Sequence, residues 1–130
     1  MNGLLRKIQV QKMKVIISKD RYLDEIKQEF SNAFPYLKID FKMPEGIATR
    51  SFKPKTPVNQ LKVGDILKDN PEGVIIINEN NSIKQIAQKF ADHFGLTTLF
   101  FRKSGNMWLE IKMTGDWTLK QQNESGMEVY

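Results

Sequence analysis

The short run Arg102-Lys103-Ser104-Gly105-Asn106 holds the residue types best suited to chemistry in this chain of 130 residues. It lies between the aromatic segments LTTLFF and MWLEI. Backbone amides at such a tip, beside a guanidinium and an ammonium, suit a phosphate or a carboxylate, and Trp108 offers a ring for stacking. The same residues also make an ordinary hairpin, with Gly105 at the bend, Phe101 and Trp108 packed across the strands, and the charges solvated. Nucleotide hydrolysis is disfavoured: a phosphate-cradling loop needs Gly-Lys-Ser/Thr between a strand and a helix, and here Lys-Ser-Gly lies between two strands.

Acid-base chemistry has fewer candidates. Glu110 and Asp116 flank the second strand of the hairpin, and Asp65 lies in an earlier turn. A catalytic carboxylate pair needs a cleft and a separation of about 5–9 Å, which sequence does not fix. Asp116, just before Trp117-Thr118-Leu119, reads more simply as a helix N-cap. His93 is the sole histidine and falls near a helix C-terminus, where a core-edge position and the helix dipole suit it. There are no cysteines, which removes disulfides, thiolate metal sites and cysteine nucleophiles. A single histidine leaves little basis for a zinc site or a Ser-His-Asp triad. The expectation is a non-enzymatic protein without cofactor or metal. Its candidate binding residues are Arg102, Lys103, Ser104, Asn106 and Trp108, with Asp116 and Trp117.

The elements that must position these residues follow from hydrophobic period. Lys14–Ser18 is a β-branched run, a buried strand. Asp20 is a plausible N-cap for a helix whose stripe is Leu23, Ile26, Phe30, Ala33 and Phe34, ended by Pro35. Leu37, Ile39 and Phe41 then alternate with charged residues, as in a strand with one wet face. The order recurs in the second half. Val74–Asn78 reads as a strand, Ser82 and Gln85 as a capping box, and Ile83, Ile86, Phe90 and Phe94 as a stripe stopped by Gly95. A strand over Leu96–Phe101 follows. A shift of sixty positions places Ile16 on Ile76, Leu23 on Ile83, Ile26 on Ile86, Phe30 on Phe90 and Phe34 on Phe94. The same shift places Ile39 on Leu99 and Phe41 on Phe101. A fixed period signals repeated units, although any two strand-helix-strand units share some of this spacing.

Between the halves lie four prolines (Pro44, Pro54, Pro57 and Pro71), an expected irregular hairpin around Thr49–Lys53, and a helical turn in LKVGDIL. That turn is the expected counterpart of a single-turn cap at Trp117–Gln122. Residues 1–12 read as an N-terminal extension and 13–130 as one domain, with a pseudo-repeat of 13–68 on 73–126. The expected fold is α+β, a ferredoxin-like sheet with two helices on one face. A ubiquitin-like β-grasp is the alternative.

The net charge of +5 is uneven: residues 1–56 carry +6 and residues 57–130 carry −1. Such an excess suits nucleic acid, but it is diffuse and fits a solvated surface as well. The strands expected at the centre of the sheet are aliphatic, unlike an RNA-binding sheet, which stacks bases on aromatics there. A departure using Trp108, Arg102, Lys103 and the basic stretch RSFKPK stays open. No run reaches the ~20 apolar residues of a membrane helix, no secretion signal is recognisable, and a cytoplasmic location is expected.

The run FRKSGNMWLEI, then DWTLKQQN and a trailing Gly126, resembles the C-terminal signature of a bacterial family found in Bacteroidetes-type genomes. AFPYLKIDF and the LKVGDI turn resemble its N-terminal half, so the likeness covers about residues 13–126. The family has no assigned activity, and the resemblance carries no catalytic residues to this chain. The leading expectation is a protein-interaction module that binds a partner protein or itself, because aromatic residues and arginine are enriched at binding hot spots. Nucleic-acid binding through the basic first half and the hairpin is the alternative.

Overall fold

The computed structural model describes residues 11–43, 60–67 and 72–128. In chain order these form β1 (Lys12–Ile17), α1 (Leu23–Ala33), β2 (Leu37–Phe41), α2 (Val63–Ile66) and β3 (Gly73–Asn78), then α3 (Ile83–Phe94), β4 (Thr98–Ser104), β5 (Met107–Glu110) and α4 (Leu119–Glu128). The α+β class and the twofold strand-helix-strand order are as expected. The first ten residues, the hairpin expected around Thr49–Lys53 and the RSFKPK stretch lie outside the described residues.

Equivalent strands pair with each other. β1 lies antiparallel to β3, with Val15 opposite Ile75, and β2 lies antiparallel to β4, with Ile39 opposite Phe100. β5 adds to the other side of β4, so the strands form a two-stranded ladder β1-β3 and a three-stranded sheet β2-β4-β5. The β1–β3 neighbours are those of a ferredoxin-like order; β2 takes β4 as its neighbour and lies in the second sheet.

One core joins the two halves. Val15, Ile17, Ile75 and Ile77 bury the inner face of β1-β3, and Leu37, Ile39, Phe41 and Phe100 bury that of the other sheet. The helices insert Ile26 and Phe30 from one half, and Ile86 and Phe90 from the other. Phe30 meets Phe100 edge-on at 5.7 Å between ring centroids, and Phe90 meets Phe41 in the same way at 5.7 Å. Each helix packs on the strands of its own half and sends one ring to a strand of the other half, with a geometry aromatic pairs favour.

Four helix starts share one device. The amides of Tyr22, Lys62, Ser82 and Thr118 donate to the side chains of Glu25, Asp65, Gln85 and Gln121, each three residues on. That bond occupies a donor the helix leaves unpaired. Ser82 and Thr118 return it through their hydroxyls to the amides of Gln85 and Gln121. The first helix therefore begins after Tyr22 rather than at the expected Asp20 cap.

These starts are bridged in pairs, Tyr22 with Lys62 and Ser82 with Thr118. The amides of Val63 and Gly64 donate to the carbonyls of Arg21 and Lys19, and those of Leu119 and Lys120 donate to Asn81 and Glu79. LKVGDIL and WTLKQQ thus occupy matching places, as expected. The second continues as a ten-residue helix rather than a single turn.

The sixty-residue register holds through both helices and then slips by one. The core positions Leu37, Ile39 and Phe41 face Arg102, Phe100 and Thr98, so Ile39 corresponds to Phe100 and not to Leu99. α3 runs twelve residues against eleven for α1. It ends at Gly95, with φ of 68°, and the Leu96 amide reaches back to the carbonyl of Phe90. A shift of one residue sends every following side chain to the opposite face of a strand. Leu99 and Phe101 therefore lie half-buried on the outer face, where the sequence pattern had placed them in the core.

Candidate functional site

β4 and β5 are joined by the two residues Gly105 and Asn106, and Gly105 has φ of 62°. Glycine at the first central position of so short a loop matches the twist of the flanking strands. Asn106 is exposed at the tip and Ser104 faces Met107.

Alternation along the strands divides the expected site. Lys103 stands opposite Trp108 on the outer face, with Phe101 opposite Glu110 and Lys38 on its other side. The Lys38 ammonium lies 4.3 Å from the centroid of the Trp108 ring, within cation–π range. Phe101 and Trp108 are diagonal neighbours there rather than a directly opposed pair.

Arg102 points to the other face, towards α4. Its guanidinium donates to the Gln122 side-chain oxygen at 2.8 Å, and the Gln122 amide donates to the backbone and hydroxyl oxygens of Thr114 at 2.7 and 2.9 Å. Gln122 is fully buried, so this chain of bonds is an internal latch. Trp117 stands over Arg102, 5.7 Å from guanidinium carbon to ring centroid. Asp116 is exposed and pairs with Lys84 at 3.0 Å, while Thr118 provides the cap expected of Asp116. His93 is exposed rather than at the core edge. Gln122 was missed as a key residue; its only sequence signal was an amide on the inward stripe of a short helix.

The structure adds something that the list of reactive side chains did not contain: the state of the strand edges. In antiparallel pairs, alternate residues turn both backbone groups towards the neighbour and the rest turn them away. The Glu79 amide bonds the Gln11 carbonyl, which leaves residues 12, 14 and 16 of β1 and 74, 76 and 78 of β3 turned outward. Arg21 covers the Ile16 carbonyl at 3.1 Å, Lys89 the Ile76 carbonyl at 2.8 Å, and Asn81 the Asn78 amide at 2.9 Å. On β2 the Leu37 carbonyl accepts from the Ser31 hydroxyl, and the Phe41 amide is taken by the Asp40 carboxylate.

β5 differs. The Ile111 amide donates to Phe100, which turns 107, 109 and 111 inward and leaves both backbone groups of Trp108 and Glu110 pointing out. No side chain among the described residues bonds these four groups. Beside them, on the flank shared with Arg102, are Leu109 and Met107, 47% and 64% exposed, and a cleft of about 370 Å³ that Leu109, Ile111 and Met113 help to line. On the other three edges side chains cap single groups, and the outward groups of Lys14, Val74 and Ile39 have no bonded partner among the described residues either. What sets β5 apart is the exposed Leu109 and Met107 and the cleft beside its outward groups.

The charge on the outer face is mixed. Lys38 and Lys103 are matched by Asp40 and Glu110, and Lys27 pairs with Asp40 at 3.4 Å. Four of the five excess positive charges belong to segments outside the described residues, through Arg6 and Lys7, and through Arg50, Lys53 and Lys55 against Glu45. Among the described residues no three His, Asp or Glu side chains are grouped to hold a metal, and no helix is long and apolar enough to cross a membrane.

Fold and site together define an α+β domain in which β5 turns the backbone groups of Trp108 and Glu110 outward, unbonded among the described residues. Searches against protein-family models, curated proteins and solved structures gave no match for the chain.

Proposed function

We propose that the protein is a non-enzymatic interaction module that takes up an extended strand along β5. One observation carries this reading: β5 presents the outward backbone groups of two alternate residues, Trp108 and Glu110, unbonded among the described residues, beside exposed Leu109 and Met107 and the cleft they flank. Main-chain bonds to such an edge supply affinity, and alternate side chains supply specificity. A nucleic-acid partner has less support, since the outer face carries as many carboxylates as ammonium groups.

Display selection of random peptides on the immobilised protein tests the reading. Peptides of alternating apolar and polar residues are expected. Their binding should shift the amide resonances of Trp108 and Glu110 and be lost in Glu110→Pro. That variant removes an outward amide from an edge strand, where proline is tolerated, and leaves the β4 ladder intact. Selected peptides that bind equally well to Glu110→Pro would refute the proposal.

A further inference from the structure

The open edge of β5 is complementary to itself. Two copies of β5 laid antiparallel about a two-fold axis through Leu109 bring Trp108 of one chain opposite Glu110 of the other, and the reverse. All outward amides and carbonyls of both residues are then paired, giving about four hydrogen bonds by the antiparallel rule. Centring the axis on Trp108 instead would set Glu110 against Asn106 in the turn and leave groups unpaired. Register is thus decided by the positions of the open residues.

The side chains agree with this register on both faces. On one flank Leu109 meets its own copy across the axis and Met107 meets Ile111, so exposed apolar surface covers exposed apolar surface. On the outer face the Glu110 carboxylate, which has no ion-pair partner among the described residues, arrives beside Trp108, whose ring carries the Lys38 ammonium. A carboxylate next to that cation is favourable, and opposed charges across strands stabilise a pair. The contact is isologous, as a two-fold requires, and it uses up both β5 edges.

We infer that the strand received by β5 is the β5 of a second copy, giving a symmetric dimer with a continuous six-stranded sheet. This rests on the reading of β5 as the docking edge and names its partner. Sedimentation equilibrium over a range of concentrations, with Glu110→Pro and Leu109→Asp, tests it. Leu109→Asp sets two carboxylates against each other on the axis and leaves the edge backbone unchanged. A concentration-dependent dimer is expected for the wild type. Each variant should weaken it by about ten- to a hundredfold, the effect of losing one or two net hydrogen bonds or their equivalent. Amide exchange at Trp108 and Glu110 should slow as the dimer fills.

A wild type that stays monomeric, or a dimer that both variants leave unchanged, would overturn the inference. A monomer whose Trp108 and Glu110 amides still respond to selected peptides would overturn the self-pairing alone and keep the docking edge. A monomer whose edge binds no peptide would overturn both.

Discussion

Arg102 is the residue whose role changes most between sequence and structure. Read as a ligand-binding cation, it instead has its guanidinium bonded to Gln122, and Gln122 to Thr114. Replacing Gln122 by Leu removes the acceptor of the half-buried guanidinium and both bonds to Thr114, whose carbonyl keeps only the Trp117 amide. We expect a loss of about 1–3 kcal/mol in urea unfolding. Arg102→Ala should fall in the same range, and after correction for stability it should not alter partner binding as Glu110→Pro does. Arg21 is a second committed cation. Its hydrogen bonds and ion pair with Glu29, helped by Glu25, raise its pKa above the ordinary arginine value against the effect of burial. The folded state therefore holds this proton more tightly than the unfolded chain. Its stabilising contribution is complete below the ordinary arginine pKa and is lost only as pH climbs through the raised one. Glu29→Gln should cost about 0.5–1 kcal/mol, and the same amount at about pH 6 and about pH 9, because the guanidinium stays charged throughout.

At the scale of elements, helix ends explain both what the sequence revealed and what it hid. The capping box of α3 was legible because serine and glutamine at this spacing have few other local uses, and Ser82→Ala should cost about 1 kcal/mol in thermal or urea unfolding. At α1 the sequence offered Asp20, while the structure uses Tyr22 and Glu25, a cap made by the backbone amide and invisible to residue-type rules. The faces of β4 were misread for a similar reason. Alternation in LTTLFFRK supports either phase, because Leu99 and Phe101 are as apolar as Phe100. The choice rests on one additional residue in α3, a detail that periodicity does not resolve. α4, expected as a single turn over Trp117–Gln122, runs on through Gly126 to Glu128. The bare Cα of Gly126 is needed for close approach, since a Cβ there would lie 2.8 Å from that of Tyr36 and 3.2 Å from Arg102 Cγ. Gly126→Ala should push α4 off the sheet at a cost of about 1–3 kcal/mol, visible as a lowered melting temperature.

At the scale of the molecule, strand order within each half was readable and the pairing of strands between halves was not, because pairing depends on contacts distant in sequence. The same is true of edge protection. The equivalent carbonyls of Ile16 and Ile76 are both covered, one by Arg21 and the other by Lys89, from different places in the two halves. Chemistry at this one pair of equivalent points is matched even where the residues are not. One exposed ammonium bond contributes little to stability. Its bearing is on association: the outer face beside these edges carries half-exposed Ile16, Val74 and Ile76, and each outward group left free next to apolar side chains is a point where a further strand can pair. Lys89→Ala should therefore leave the urea midpoint nearly unchanged, within about 0.5 kcal/mol, while light scattering rises with time and concentration. Lys120→Ala, at an exposed lysine of α4, is the control and should scatter like the wild type. Equal scattering from wild type and both variants would show that Lys89 does not guard the edge.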